Sequence, residues 1–208
     1  MAITNYAELK AAAANWLVRA DLTARIPEFI SLAEARLNRI LRSRLAEIET
    51  VLTTTAGLRT VALPAGFTEP LAVWIERPDG RTALPFLEPS LIGASSLRGQ
   101  PGAWTIDGAN LAFDRPCDAA YGLILRMLRG FSLSDAAPTN ALLSEAPDVY
   151  LFAALCEAGP FLRDGELAGT YEAKLERAIG ELNAKHARSR APRTLSTELS
   201  DLVLERGR

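Results

Sequence analysis

The chain has 208 residues, 49% hydrophobic and 23% charged, with a net charge of −2. That length suits one large domain or two small ones with a sizeable core, and the balance is that of a globular protein, not a fibrous or disordered one. A charge so near neutrality gives no bulk attraction for nucleic acid, so any contact with DNA must come from shape or a local patch.

The first zone reads as a helical hairpin. Asn5 followed by Glu8 resembles a capping box, in which the Asn side chain accepts an early helix N–H and the Glu reaches back. Tyr6, Leu9, Ala13, Trp16, Leu17 and Ala20 then recur at helical spacing and predict one buried stripe, Trp16 included. Asp21-Leu22-Thr23 breaks the pattern. Pro27 stands where the first turn of a second helix tolerates it, and Ile26, Ile30, Ala33, Leu37 and Leu41 give that helix its buried face.

From about residue 47 the period changes. Residues 48–55 are rich in β-branched side chains, which favour strands. Further strands are predicted at 58–63, 71–75, 104–106, 111–113 and 121–128. The turns between them are marked by Gly57, Pro64-Ala65-Gly66, Pro78-Asp79-Gly80 and Asp107-Gly108. Glu88-Pro89-Ser90 opens a short helical turn expected to run to about Leu97, and 99–102 reads as a loop. Such short strands with such turns predict a small antiparallel sandwich or barrel.

The third zone is helical again. Pro147 and Asp148 start a helix that is apolar on nearly every side and therefore central, ended by Arg163-Asp164-Gly165. A second helix from Glu166 to about His186 carries Leu167, Tyr171, Leu175, Ile179 and Leu182 on one face. From Ala187 the pattern gives way to Arg, Ser, Pro and Thr. The expectation is an α+β fold: residues 1–45 and 131–186 form a helical bundle, 46–130 an inserted small antiparallel β domain, and 187–208 an extended C-terminal tail.

Candidate chemistry is sparse. The single histidine, His186, sits beside Lys185 and Arg188 and is expected as a solvated cation at a helix C-terminus. Cys117 and Cys156 form no metal motif and read as free buried thiols. No phosphate loop and no CxxC motif occur, so no catalytic, cofactor or metal residue is assigned. The N-terminus lacks the pattern of a secretory signal and no run approaches the length of a membrane helix, so a soluble protein made in the host cytoplasm is expected. Two basic clusters stand out. Arg36, Arg39 and Arg42 lie on one side of the second helix, with Arg44 close by, and are candidates for subunit or phosphate contacts. Arg188, Arg190 and Arg193 lead into a tail whose Leu195, Leu199, Leu202 and Leu204 are too few for a core and so need a partner.

Several stretches carry a resemblance. Tyr6-Ala7-Glu8-Leu9, Asn15-Trp16-Leu17, Ile26-Pro27-Glu28-Phe29-Ile30 and Ala33-Glu34-Ala35-Arg36-Leu37-Asn38-Arg39 resemble the opening hairpin of tailed-bacteriophage head-to-tail adaptor (connector) proteins. Pro147-Asp148-Val149-Tyr150-Leu151-Phe152, with Phe161-Leu162-Arg163-Asp164 and the Tyr171 helix, is similar to their closing helices. Gly57, Leu63-Pro64-Ala65-Gly66-Phe67 and Leu84-Pro85 match the family's β insert more loosely. The resemblance covers about residues 4 to 186 and implies a structural, non-enzymatic virion subunit in a homo-oligomeric ring, typically a dodecamer. Such a ring docks on the portal protein, precedes the tail or nozzle proteins, and lets genomic DNA pass through its lumen without sequence-specific binding. It implies no cofactor and no membrane. The competing readings are a DNA-binding or accessory assembly factor using the arginine-rich helix, and an enzyme with a dispersed site.

Overall fold

The computed structural model describes residues 2–41, 44–93 and 95–190. Helix α1 spans Tyr6–Leu17; the Asn5 side chain accepts the Glu8 N–H at 3.0 Å, while the Glu8 carboxylate accepts the N–H and hydroxyl of Thr4, both at 2.7 Å. The reciprocal cap therefore closes one residue earlier than the capping-box pattern places it. After a 3-10 turn at Ala20–Leu22, α2 runs over Ile26–Ile40 with Pro27 in its first turn. Ile26, Phe29, Ile30, Ala33, Leu37 and Leu41 are all buried. A short helix the sequence did not announce, α3 at Ala141–Glu145, is capped by Asn140, whose side chain accepts the Leu143 N–H at 2.9 Å. Helix α4 follows at Pro147–Leu162 and α5 at Gly165–Arg190. As expected, α4 is central: Val149, Tyr150, Ala153, Leu155, Cys156 and Ala158 are all buried, and they cover most of its circumference.

Among the described residues, seven strands lie between α2 and α3: β1 (Glu47–Thr53), β2 (Thr60–Ala62), β3 (Phe67–Arg77), β4 (Gly80–Leu84), β5 (Trp104–Asp107), β6 (Asn110–Phe113) and β7 (Gly122–Arg129). They form two antiparallel sheets, ordered β1-β7-β3-β4 and β2-β6-β5. Val73, Ile75, Leu123, Leu125 and Met127 from the first sheet meet Trp104, Leu111 and Phe113 from the second in one core. The strand β3 slips register at Phe67/Glu69 and again at Pro70/Ala72. Pro70 has no N–H to donate, and β4 pairs only with Val73–Arg77, so the proline falls where β3 has a single neighbour. Two tight hairpins close as the turn residues foretell, Arg77 opposite Gly80 and Asp107 opposite Asn110. In the connection from β4 to β5 the helical turn is shorter than expected. The N–H groups of Leu91 and Ile92 bond to the Glu88 carbonyl, and the chain leaves helical geometry by Gly93.

The bundle has its own core, separate from that of the sandwich. Strands β1 and β7 pair with Glu47 opposite Leu128, so the chain enters and leaves the β unit at one place. There Asn38 of α2 grips the returning chain: its side-chain amide donates to the Phe131 carbonyl at 2.9 Å and its oxygen accepts the Phe131 N–H at 2.7 Å. The chain is thus an α+β fold, a helical bundle with an antiparallel β insertion.

Candidate interaction surface

Of Arg36, Arg39 and Arg42, Arg36 turns inward. It is ion-paired to Glu172 of α5 and reaches Glu157 of α4 at 3.8 Å, so it fastens three helices together. The Arg36 hydrogen bond holds the Glu172 carboxyl below its ordinary range. Burial, with Glu172 adding to it, pushes the neighbouring Cys156 thiol up to about 12. Arg39 is exposed and lines a cleft of about 360 Å³ where bundle and sandwich meet, with Asn38, Thr68, Glu69 and Phe131. Arg42 lies outside the described residues.

The tail residues divide in the same way. Helix α5 continues through Ala187 to Arg190, residues that the sequence assigned to the tail. Arg188 is exposed, its Nε donating to the Ala184 carbonyl at 3.2 Å. Arg190 ends the helix, and Arg193, Leu195, Leu199, Leu202 and Leu204 lie outside the described residues.

Two expectations are corrected. His186 is not a solvated cap: it is only 7% exposed, with Nε2 3.1 Å from Glu145 Oε1, because the helix does not stop there but lies against α3. Lys185 Nζ joins the same carboxylate at 2.7 Å, and these two, Lys185 foremost, hold the Glu145 carboxyl below its usual range. Trp16, expected in the core, is 44% exposed. The face of α1 that the bundle covers is centred on Tyr6, Leu9, Ala13 and Leu17, and Trp16 falls on its flank. Its ring meets Phe152 at 5.8 Å and Tyr171 at 6.0 Å, and the Lys174 ammonium lies 5.6 to 5.7 Å from all three rings. The sequence carried one clue to this cluster, two aromatics on separate polar-sided helices.

The end of the bundle remote from the β unit carries the α1–α2 and α4–α5 turns. Val18 closes α1 in the left-handed region (φ 51) with 86% of its surface exposed. Phe161, also exposed, stands beside Phe29 at 5.5 Å between ring centroids. A β-branched residue in that conformation is a strained choice where glycine is usual. No helix among the described residues is long and apolar enough to cross a membrane.

The described residues thus form a helical bundle with an inserted sandwich, and exposed apolar side chains stand on the flank and far end of the bundle. The model of the SU10 adaptor protein family matches residues 4–197, and the chain belongs to that family of phage head-to-tail adaptors. As such it is a structural component of the virion that associates with other structural proteins of the phage. A comparison with curated proteins finds no match.

Proposed function

We propose that this adaptor assembles into a homo-oligomeric ring, typically a dodecamer, at the head-to-tail junction. The ring joins the portal protein to the tail or nozzle proteins and lines the channel through which genomic DNA leaves the head, without reading its sequence. Membership of the adaptor family over residues 4–197 is the observation that carries this reading. It is supported by Trp16, Val18 and Phe161, large apolar groups that a lone subunit leaves in water and neighbours would cover. The bundle of 1–45 and 131–186 is the body of the ring, and the β domain, 46–130, projects from it as a partly autonomous unit. Arg188, Arg190, Arg193, Leu195, Leu199, Leu202 and Leu204 of the tail contact the portal or a neighbouring subunit. Arg39 and Arg42 face subunits or phosphates, whereas Arg36 spends its charge inside the bundle, which weakens the reading of this helix as a DNA-binding face.

Electron microscopy of purified particles, with light scattering of the chain alone and mixed with portal, tests the proposal. A ring between portal and tail, and a mass that rises on mixing, are expected. A junction without this subunit, or a chain that ignores the portal, refutes it.

A further inference from the structure

The four-stranded sheet has two ends, and no strand among the described residues pairs with the outer side of either. In the order β1-β7-β3-β4, β1 and β4 each have one neighbour. Folded proteins usually blunt such edges with bulges, prolines or charges, because an open row of backbone N–H and C=O groups recruits further strands. Where β3 has a single neighbour it follows that rule, with Pro70 and two register slips. The outer strands are regular. All seven residues of β1 pair with β7 without a slip, all five of β4 border β3, and neither strand contains proline. Val51 of β1 is 65% exposed, and Gly80, Arg81, Thr82 and Ala83 of β4 are all exposed.

The two edges match each other better than either matches itself. Every pairing in this sheet is antiparallel, so β1 and β4 run in opposite senses. Laid beside β1 of a second copy whose sheet faces the same way, β4 therefore continues the antiparallel order. Charge agrees with this. β1 carries Glu47 and Glu49 and no base, whereas β4 carries Arg81 and no acid. Within one chain Arg81 already reaches Glu49, at 3.3 Å, with its guanidinium 4.7 Å from the centre of the Trp74 ring. That pair crosses the width of the sheet, about 14 Å at the usual strand spacing, whereas a neighbour's β4 brings its Arg81 within one spacing of β1. One register suits both faces. With Gly80 to Leu84 opposite Leu52 to Ile48, Leu84 meets Ile48 on the side that packs on the sandwich core, and Thr82 meets Thr50. On the outer side the Arg81 stem covers Val51, and its guanidinium stands diagonal to Glu49. Two β1 edges, or two β4 edges, would instead bring like charges together.

We propose that β4 of one copy pairs with β1 of the next, so that one antiparallel sheet runs from subunit to subunit. The joint is heterologous: each copy offers β4 to one neighbour and β1 to the other, which suits a closed ring and not a two-fold dimer. The proposal rests on the ring reading and names the strands that make its joint.

Paired cysteines test it. Thr50→Cys and Thr82→Cys are placed together in the full-length chain, rings are assembled on portal, and a mild oxidant is added. Within one chain the two sites lie at opposite edges of the sheet, about 14 Å or more apart and too far for a disulfide. Native Cys117 and Cys156 are buried. A ladder of covalent multimers is expected from the double variant and none from either single variant. Charge exchange gives the second arm. Arg81→Glu and Glu49→Arg, both at exposed sites, should each lower the ring yield severalfold, and an equimolar mixture should recover it. In the mixture the pair within each chain stays like-charged, so recovery reports the joint between copies. Rings that form without the ladder, multimers from a single variant, or a mixture no better than its components overturn the paired edges and leave the ring. A chain that forms no ring with portal sinks both.

Discussion

Glu34 faces inward from α2, where the Tyr150 hydroxyl stands 3.4 Å away and the Leu133 N–H donates to it. Burial pushes its carboxyl up to about 7, more than those hydrogen bonds pull it down. An unfolded Glu ionises near its ordinary 4.5, so between that pH and 7 the folded state holds the proton more tightly. Stability from this group is then present below pH 4.5 and is lost as pH rises through 7. Glu34→Gln should therefore leave stability nearly unchanged at pH 5 and raise it at pH 8, by on the order of 1–2 kcal/mol once the screening of a half-buried group is allowed for. Urea melts at the two pH values check this, and an equal effect at both would refute it. Val18 makes a second residue-level case. Its left-handed conformation is one that valine tolerates poorly, and its exposed side chain contributes little packing. Val18→Gly should stabilise the isolated chain by about 1 kcal/mol in the same assay. If Val18 is a contact in the ring, the same variant should weaken assembly, which light scattering reads.

Between elements, α4 and the start of α5 approach each other closely. A Cβ on Gly159 would stand 2.6 Å from the Ala168 Cβ and 3.0 Å from its Cα, so the two helices meet backbone to backbone. Gly159→Ala should cost about 1–3 kcal/mol, since neither neighbour is a flexible side-chain end. Adding Ala168→Gly should recover part of the loss, and a double variant as unstable as the single one would contradict this packing. Trp16 lies at another seam, between α1, α4 and α5. Because nearly half of it is exposed, Trp16→Ala should cost about 2 kcal/mol in denaturant melts, below the range of a fully buried tryptophan. A larger loss of ring mass than of monomer stability would mark it as an anchor between subunits.

For the molecule as a whole, α5 is anchored up to its last described turn. Leu175, Ala178, Leu182 and His186 are buried, and Glu145 holds Lys185 and His186. A truncation meant to test the tail must therefore begin at residue 191, since one at 187 would shorten a packed helix. Removing 191–208 should leave the melting temperature of the free chain nearly unchanged while abolishing attachment to portal-bearing heads. Attachment with normal affinity after that deletion would make the tail a passive end.

What the sequence determined by itself is the set of elements whose signals are local. The 3.6-residue stripe of Ile26 to Leu41, the proline in the first turn of α2, the two tight hairpins and the apolar α4 all follow from neighbours a few residues apart. So does the order of helices, strands, helices that defines an α+β insertion, and the family resemblance that travels with it. Tertiary structure alone decided the fate of single side chains. Trp16 fits the apolar stripe as well as Leu17 does, but which flank of α1 the bundle covers depends on where α4 and α5 lie. Arg36 looks like one of three solvated arginines until Glu157 and Glu172, more than a hundred residues away, come beside it. His186 reads as a helix end until α3, a helix of five residues too short to leave a periodic signal, brings Glu145 to it. Periodicity reports which face of an element is apolar; it carries no information about the partner that comes to meet it, and charge, exposure and contact depend on that partner.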